Sequence, residues 1–326
     1  MIAFVLRRVF QSIVVLLIVG LIAFLMFRYV GDPIENLLGQ ERTLEDIANL
    51  RERLGLNDPF LVQYFKFLWG AVQGQFGISY RAGVQVSQLI AERLPATLEL
   101  AFVSGMFALV GGLVLGVYTA LRRKGFMATA IMTTSLIGVS LPTFLIGIAL
   151  IWIFAVELQW LPSNGRGEVV HIGGWSTGFL TWSGLASLIL PSITLGLYQL
   201  TLIMRLVRSE MLEVLRTDYI KFARARGLSA RAVNFGHALK NTMIPVITIT
   251  GLQLGAIVAF AIITETVFQW PGVGLMFINA INFVDIPVMA TYLLLIAVFF
   301  VLVNLIVDLL YFAVDPRLRV ERPTGK

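Results

Sequence analysis

Residues 97–121 read TLELAFVSGMFALVGGLVLGVYTAL and are followed at once by Arg122, Arg123 and Lys124. A helix that crosses the hydrocarbon of a bilayer needs about 20 mostly apolar residues, because every backbone group there must be satisfied within the segment itself. This stretch meets that length, and the basic triplet marks its return to water. The sequence therefore predicts a membrane-spanning helix. Gly112 and Gly116 stand one turn apart on it, with Gly105 and Gly111 widening the small-residue surface, a pattern suited to close packing on a neighbouring helix.

Working outward, comparable apolar stretches occur at about Phe10–Tyr29, Met127–Val156, Gly184–Met204, Ile244–Phe268 and Met289–Val314. The expected fold class is thus an all-α membrane protein of about six transmembrane helices. The Met127–Val156 stretch is long enough to tilt or to break near Pro142. Composition agrees, since 58% of the 326 residues are apolar and only 13% are charged, about half the charged fraction of soluble proteins. The first stretch follows Arg7 and Arg8, but its apolar run is longer than that of a secretory signal and no A-x-A-like site follows, so it is expected to stay as a helix. The net charge of +6 does not imply nucleic acid, because no water-exposed domain gathers it. The chain has no cysteine and two histidines, His171 and His237, which excludes thiol chemistry and Cys-ligated metal and argues against a metal centre.

Lys and Arg set the expected orientation. Arg7, Arg8, the Arg122–Lys124 triplet, the cluster from Arg205 to Lys240 and the C-terminal basic residues fall on one side, expected to be cytoplasmic, with both termini there. The remaining basic residues lie mostly in the long 31–95 segment. The expected organisation is an N-terminal helix (1–30), an external subdomain (31–95), a five-helix core (96–315) with a cytoplasmic loop (205–243), and a tail (316–326). In the external segment, Thr43 with Glu45 and Asp46 reads as a helix start, and Asn57-Asp58-Pro59 as its end. The stretch Phe60–Val72, with Tyr64, Phe65, Leu68 and Trp69, reads as an amphipathic helix against the membrane surface or the bundle. The outside loop 157–183, rich in Trp and Gly, fits an interfacial belt.

The loop between the fourth and fifth spans is too charged to cross a membrane and too well patterned for a linker. Thr217 or Asp218 can cap a short helix in which Tyr219, Phe222, Ala223 and Arg226 share a face, and Gly227 can close it in a left-handed conformation. Ser229 can cap a second helix, with Leu228 and Val233 as a hydrophobic staple. Small residues at Ala223, Ala225 and Gly227 admit another backbone, and Tyr219 and Phe222 can anchor in a partner's cleft. A basic interfacial helix resting on anionic lipid through Lys221, Arg224, Arg226 and Arg231 fits the same residues.

Residues 208–245, RSEMLEVLRTDYIKFARARGLSARAVNFGHALKNTMIP, resemble the cytoplasmic loop of binding-protein-dependent ABC importer permeases, and within them the dipeptide and oligopeptide (peptide/nickel) branch. The run Asp218–Leu228 and the His237–Asn241 stretch carry the branch-specific part. The general loop begins Glu-Ala-Ala; this chain keeps Ala223 and Gly227 but has Lys221 and Phe222 before them, as the peptide-type loop does. Further similar stretches are GDP at 31–33, LRERLGLNDP at 50–59, FGISY at 76–80, LPATLEL at 94–100, IITETVFQWPGVG at 262–274 and NLIVDLLYFAVDPRLR at 304–319, the last similar to the end of the family's first permease subunit. The resemblance implies a type I ABC importer permease fold in a bacterial inner membrane. It also implies pairing with a homologous second permease, two cytoplasmic ATPases that bind the ATP and magnesium, and an external solute-binding protein. Asp218, Tyr219, Phe222, Ala223, Arg224, Ala225 and Gly227 would then form the helix that couples to the ATPases. Peptides are the expected cargo, with glutathione or nickel chelates as alternatives.

Other residues carry weaker signals. Glu265, ionisable at membrane depth, marks a pathway or gate, with a capped structural carboxylate as the other reading. Gln253, with Thr248 and Thr250, either faces the cavity or bonds between helices. The Trp270–Gly274 turn either helps close an outer gate or meets the binding protein. Asp308 is expected to pair within the bundle, and His237 to hydrogen-bond within the elbow. The chain lacks a Walker-type phosphate loop, so it is expected to be non-catalytic and to draw its energy from partners. A self-sufficient secondary transporter is the rival from a different class; an intramembrane enzyme would lack a recognisable nucleophile or metal.

Overall fold

The computed structural model describes residues 2–29 and 57–314. The helix expected from Thr43, the 31–33 stretch and the 316–326 tail lie outside the described residues. Helices follow one another as α1 (Ile2–Tyr29), α2 (Phe60–Val72), α3 (Val86–Leu121), α4 (Phe126–Ser140) and α5 (Thr143–Leu150), the last continuing as a wider π-type turn over Ile151–Glu157. After a short hairpin of β1 (Val170–Ile172) and β2 (Trp175–Thr177) come α6 (Trp182–Val214) and α7 (Asp218–Ala225). A second π-type segment, Ala232–Leu239, runs into α8 (Lys240–Val267), which is followed by α9 (Val273–Asn282) and α10 (Ile286–Val314).

Among the described residues four helices, α1, α3, α6 and α10, are long and apolar enough to cross a bilayer unbroken, and two bent pairs complete six if each is one span. The break expected near Pro142 is there, and it is sharp: α4 and the α5 segment meet at 112°. Leu141 is extended at φ −92° and ψ 138°, because the ring of a following proline excludes the helical region. In α8 the halves Pro245–Gly251 and Gly255–Val267 differ by 44°.

Two spans are longer than their apolar runs. α3 begins at Val86 rather than at Thr97, so the last part of the 31–95 segment is the first three turns of this helix. Glu92 and Arg93 hide the extension from hydropathy, while Val86 and Ile90 are buried with Ala280 and Val288. α6 likewise runs past Met204 to Val214, carrying Arg205 and Arg208 beyond the apolar zone. The β-hairpin, in antiparallel register with His171 opposite Ser176, is an addition to the all-α expectation.

The bundle is centred on α3 against α6. A Cβ on Gly116 would sit 2.9 Å from the Met204 carbonyl oxygen, and one on Gly112 would lie 2.7 Å from the Ile203 side chain. The two backbones touch where the glycines permit it, as the spacing in the sequence predicted. α1 packs on α10 and is tied to it by Arg8, whose Nε lies 2.8 Å from Asp308 Oδ2 and whose Nη2 donates to Oδ1 at 2.9 Å. Asp308 is therefore paired within the bundle. α2 lies across α1: the Tyr64 hydroxyl donates to the Leu17 carbonyl at 2.6 Å, while Leu61, Phe65, Trp69 and Val72 face outward.

Candidate functional site

At the Arg-rich end of the bundle, α7 forms the elbow expected from its sequence. Thr217 occupies the N-cap position, but its hydroxyl donates backward to the Val214 carbonyl at 2.6 Å and makes no cap bond. Asp218 in the first turn complements the helix dipole and pairs with Lys221 at 2.8 Å. The C-terminus closes as a Schellman motif: the Gly227 N–H donates to the Arg224 carbonyl at 2.9 Å and the Leu228 N–H to that of Ala223 at 3.3 Å. This geometry places Gly227 at φ +78°, the left-handed region where a Cβ is costly. Ser229 then caps the next segment, its Oγ accepting from the Ala232 N–H at 3.2 Å. Leu228 stays 42% exposed while Val233 is 1% exposed, so the expected staple is one-sided.

The two faces of α7 differ. Ile220 and Ala223 are buried in the cluster that includes Val207, Met211, Val233 and Ala238. Phe222 is 64% and Tyr219 43% exposed, and the Arg226 guanidinium lies 5.8 Å from the Phe222 ring centre. The face expected to hold Tyr219, Phe222, Ala223 and Arg226 together is therefore split: Ala223 seats the helix on its own bundle, whereas Phe222, Arg226, Arg224 and Ala225 are presented outward. Asn241, at the start of α8, donates to the Tyr219 hydroxyl and to the His237 carbonyl, both at 2.9 Å. It is the backbone carbonyl of His237 that takes part, while its side chain is exposed.

At the other end of α8, Glu265 and Trp270 are fully buried. One Glu265 oxygen accepts from the Thr97 hydroxyl at 2.5 Å and the other from the Leu275 N–H at 2.8 Å. Thr97 Oγ1 in turn accepts from the Val273 N–H at 2.9 Å. The Trp270 indole donates to the Ala96 carbonyl at 2.9 Å. The carboxylate thus sits at the N-terminus of α9, satisfying N–H groups that have no intrahelical partner and meeting the positive end of the helix dipole. A side chain at Gly272 would run into the Glu265 carboxylate. Within this chain Glu265 and Trp270 are buried fastenings of the turn between α8 and α9. Gln253 is half-buried and makes no hydrogen bond to another described residue, and Thr250 Oγ1 is buried without a partner. The Thr248 side chain lies outside the described atoms.

Two further fastenings at this end were not singled out in the sequence. Arg166 Nη2 lies 2.6 Å from Glu99 Oε2, with both side chains buried, and the same guanidinium donates to the Ser176 hydroxyl at 2.9 Å and to its carbonyl at 2.7 Å. This pair pins the β-hairpin onto α3. Asp285 accepts from the Ser79 hydroxyl, the Tyr80 N–H at 3.2 Å and the Arg81 N–H at 3.3 Å, which fixes the FGISY stretch to the start of α10. A signal for the first existed: Glu99 is an acid within an apolar span, where an ionisable group needs a partner.

Comparison with known proteins agrees with this architecture. Residues 112–320 match the family model for the binding-protein-dependent transport system inner membrane component, and residues 1–101 match that for its N-terminal part. The dipeptide transport system permease protein DppB of Alkalihalophilus pseudofirmus is 39% identical, with 98% of this chain and 100% of that protein covered. The di/tripeptide transport system permease protein DppB of Pseudomonas aeruginosa is 40% identical over 99% of this chain and all of its own length. The glutathione transport system permease protein GsiC of Salmonella paratyphi A is 37% identical over 98% and 100%. Among solved structures, an inward-facing MetNI methionine ABC transporter chain matches with a TM-score of 0.54 and 21% identity, covering 70% of this chain and 96% of that one, a likeness of fold. With both family models and full-length relatives in agreement, this chain belongs to the permease family of binding-protein-dependent ABC transport systems, as a multi-pass membrane subunit.

Proposed function

We propose that this chain is one permease half of an ATP-driven peptide importer, coupled to cytoplasmic ATPases through α7. The observation that carries the reading is the two-sided elbow: one face of α7 is locked into the bundle by Ile220 and Ala223, and the other offers the exposed Phe222 ring with Arg224 and Arg226. Its link to α8 through Asn241 supplies a path for force, and α8 ends at the Glu265 fastening on the opposite face. ATP and magnesium belong to the partner ATPases, a second permease completes the pathway, and a solute-binding protein delivers the cargo on the side of the β-hairpin. Both termini and α7 lie in the cytoplasm. Peptides are the preferred cargo because the relatives named for dipeptides, di/tripeptides and glutathione share amide-linked amino acids. Gln253 and Thr250, whose polar groups find no partner within the described chain, line the pathway or the seam with the second permease. Glu265 and Trp270 act on the outer gate indirectly, by holding the turn that forms it.

The test is to extract the tagged chain from native membranes in mild detergent, count the subunits that accompany it, and reconstitute them in liposomes. Recovery with a similar permease and ATPases, and ATP-dependent dipeptide uptake, is the expected result. Recovery alone or as a homodimer without an ATPase would instead favour a secondary transporter.

A further inference from the structure

Beside the coupling elbow, a cleft of about 320 Å³ opens between α4 and α6 and is lined by Arg123, Arg205 and Arg208 together with Thr129, Met132, Thr133 and Leu136. Three arginines line it, with no acidic residue in the lining. None of the three forms a hydrogen bond, ion pair or ring contact with another described residue. Cations that line one cleft repel one another, and a fold that keeps them together without an internal acid leaves the compensating charge to a ligand. Guanidinium forks and a threonine hydroxyl match the tetrahedral oxygens of a phosphate ester.

The surroundings identify which phosphate. Arg123 lies in the turn just before α4, and Arg205 and Arg208 lie on α6 just past its apolar run, so the charges sit at the boundary between hydrocarbon and water. Above them the wall becomes apolar through Met132 and Leu136, and Leu136 at 45% and Ile137 at 49% exposure continue it along the outside of α4. A soluble phosphate has no use for such a wall, whereas the acyl chains of a lipid do. We propose that this cleft is a binding site for an anionic glycerophospholipid, its phosphate held by Arg123, Arg205, Arg208 and Thr129 and its acyl chains lying against α4. The bound lipid braces the α3–α4 turn against α6 beside the helix that carries α7. The site depends on neither the cargo nor the partners proposed above.

The full chain, purified from native membranes with its accompanying subunits, is delipidated in detergent and then titrated with phosphatidylglycerol, phosphatidylcholine or inorganic phosphate, with binding read by native mass spectrometry. Phosphatidylglycerol is expected to bind in preference to phosphatidylcholine. Each cation near such a surface contributes about 1 kcal/mol, so Arg208→Gln is expected to weaken binding roughly fivefold, and the triple Gln variant of Arg123, Arg205 and Arg208 more than about a hundredfold. The triple Lys variant retains the charge but not the guanidinium forks and is expected to bind between wild type and the triple Gln variant, which separates loss of the site from loss of the fold. Equal binding of phosphatidylglycerol by wild type and the single and triple Gln variants overturns the site. Displacement of the lipid by millimolar inorganic phosphate, or binding of phosphate alone, overturns the lipid assignment.

Discussion

Removing either partner of the Glu99–Arg166 pair strands a charge in a buried setting, and such losses cost about 3–5 kcal/mol. Arg166→Ala and Glu99→Ala are each expected to lower the melting temperature of the detergent-purified chain clearly. Replacing both together, as Glu99→Leu with Arg166→Met, removes the unpaired charge and is expected to restore most of the loss; a double variant as unstable as the singles would mean that the pair is needed for the hairpin's position rather than for charge balance. Gly227 obeys a different constraint. Its φ of +78° costs an ordinary L-residue about 1–2 kcal/mol, and since a Cβ there meets open space, that strain is relieved by redirecting the chain entering the second helix. Gly227→Arg is therefore expected to abolish transport with normal membrane insertion, and Gly227→Asn, which tolerates this region, to keep most of it. Wild-type uptake by the Arg variant would sink the coupling assignment.

At the scale of an element, α7 separates stability from coupling because its faces differ. Ile220 is fully buried, so Ile220→Ala is expected to cost about 2–5 kcal/mol of stability. Phe222 is exposed, so Phe222→Ala is expected to leave the melting temperature unchanged, while loss of an anchoring aromatic, worth about 2 kcal/mol or more, weakens ATPase docking by roughly thirtyfold or more. ATPase recovery in a pull-down reads the second effect, and undiminished recovery would mean that α7 rests on lipid instead. Much of this element was legible in sequence: Gly227 announced its left-handed stop, Ser229 its cap, and Pro142 the break in the third span. What was not legible depended on tertiary partners. The inward turn of Ala223 follows from where the Ile220 face finds Val207 and Met211, which spacing within eight residues does not specify. The extension of α3 back to Val86 was hidden because Glu92 and Arg93 read as solvent while Val86 and Ile90 before them pack on α9 and α10. Three-residue strands carry too little pattern to be read at all, and Glu99 and Arg166 meet across 67 positions of chain.

For the molecule as a whole, α8 joins the two ends that matter. Its start is tied to α7 through Asn241, and its end holds Glu265 under the N-terminus of α9. On the coupling proposed above, movement of the elbow reaches the outer turn along this helix, and the route requires that the elbow and the β-hairpin lie on opposite sides of the membrane. The topology proposed from the distribution of Lys and Arg puts the elbow in the cytoplasm, and both termini with it when each bent pair crosses once. The chain contains no cysteine, so single cysteines report position without background. Arg226→Cys, in the exposed turn after α7, and Gly174→Cys, at the tip of the hairpin, are expected to react with a membrane-impermeant maleimide in complementary preparations: Gly174→Cys in intact spheroplasts and Arg226→Cys in inside-out vesicles. The opposite pattern would invert the topology and put the basic face of α7 out of reach of any ATPase. Labelling of both positions from the same side would leave the bent α4–α5 pair or the bent α8 as a re-entrant segment, and the path from elbow to outer turn would then no longer cross the membrane.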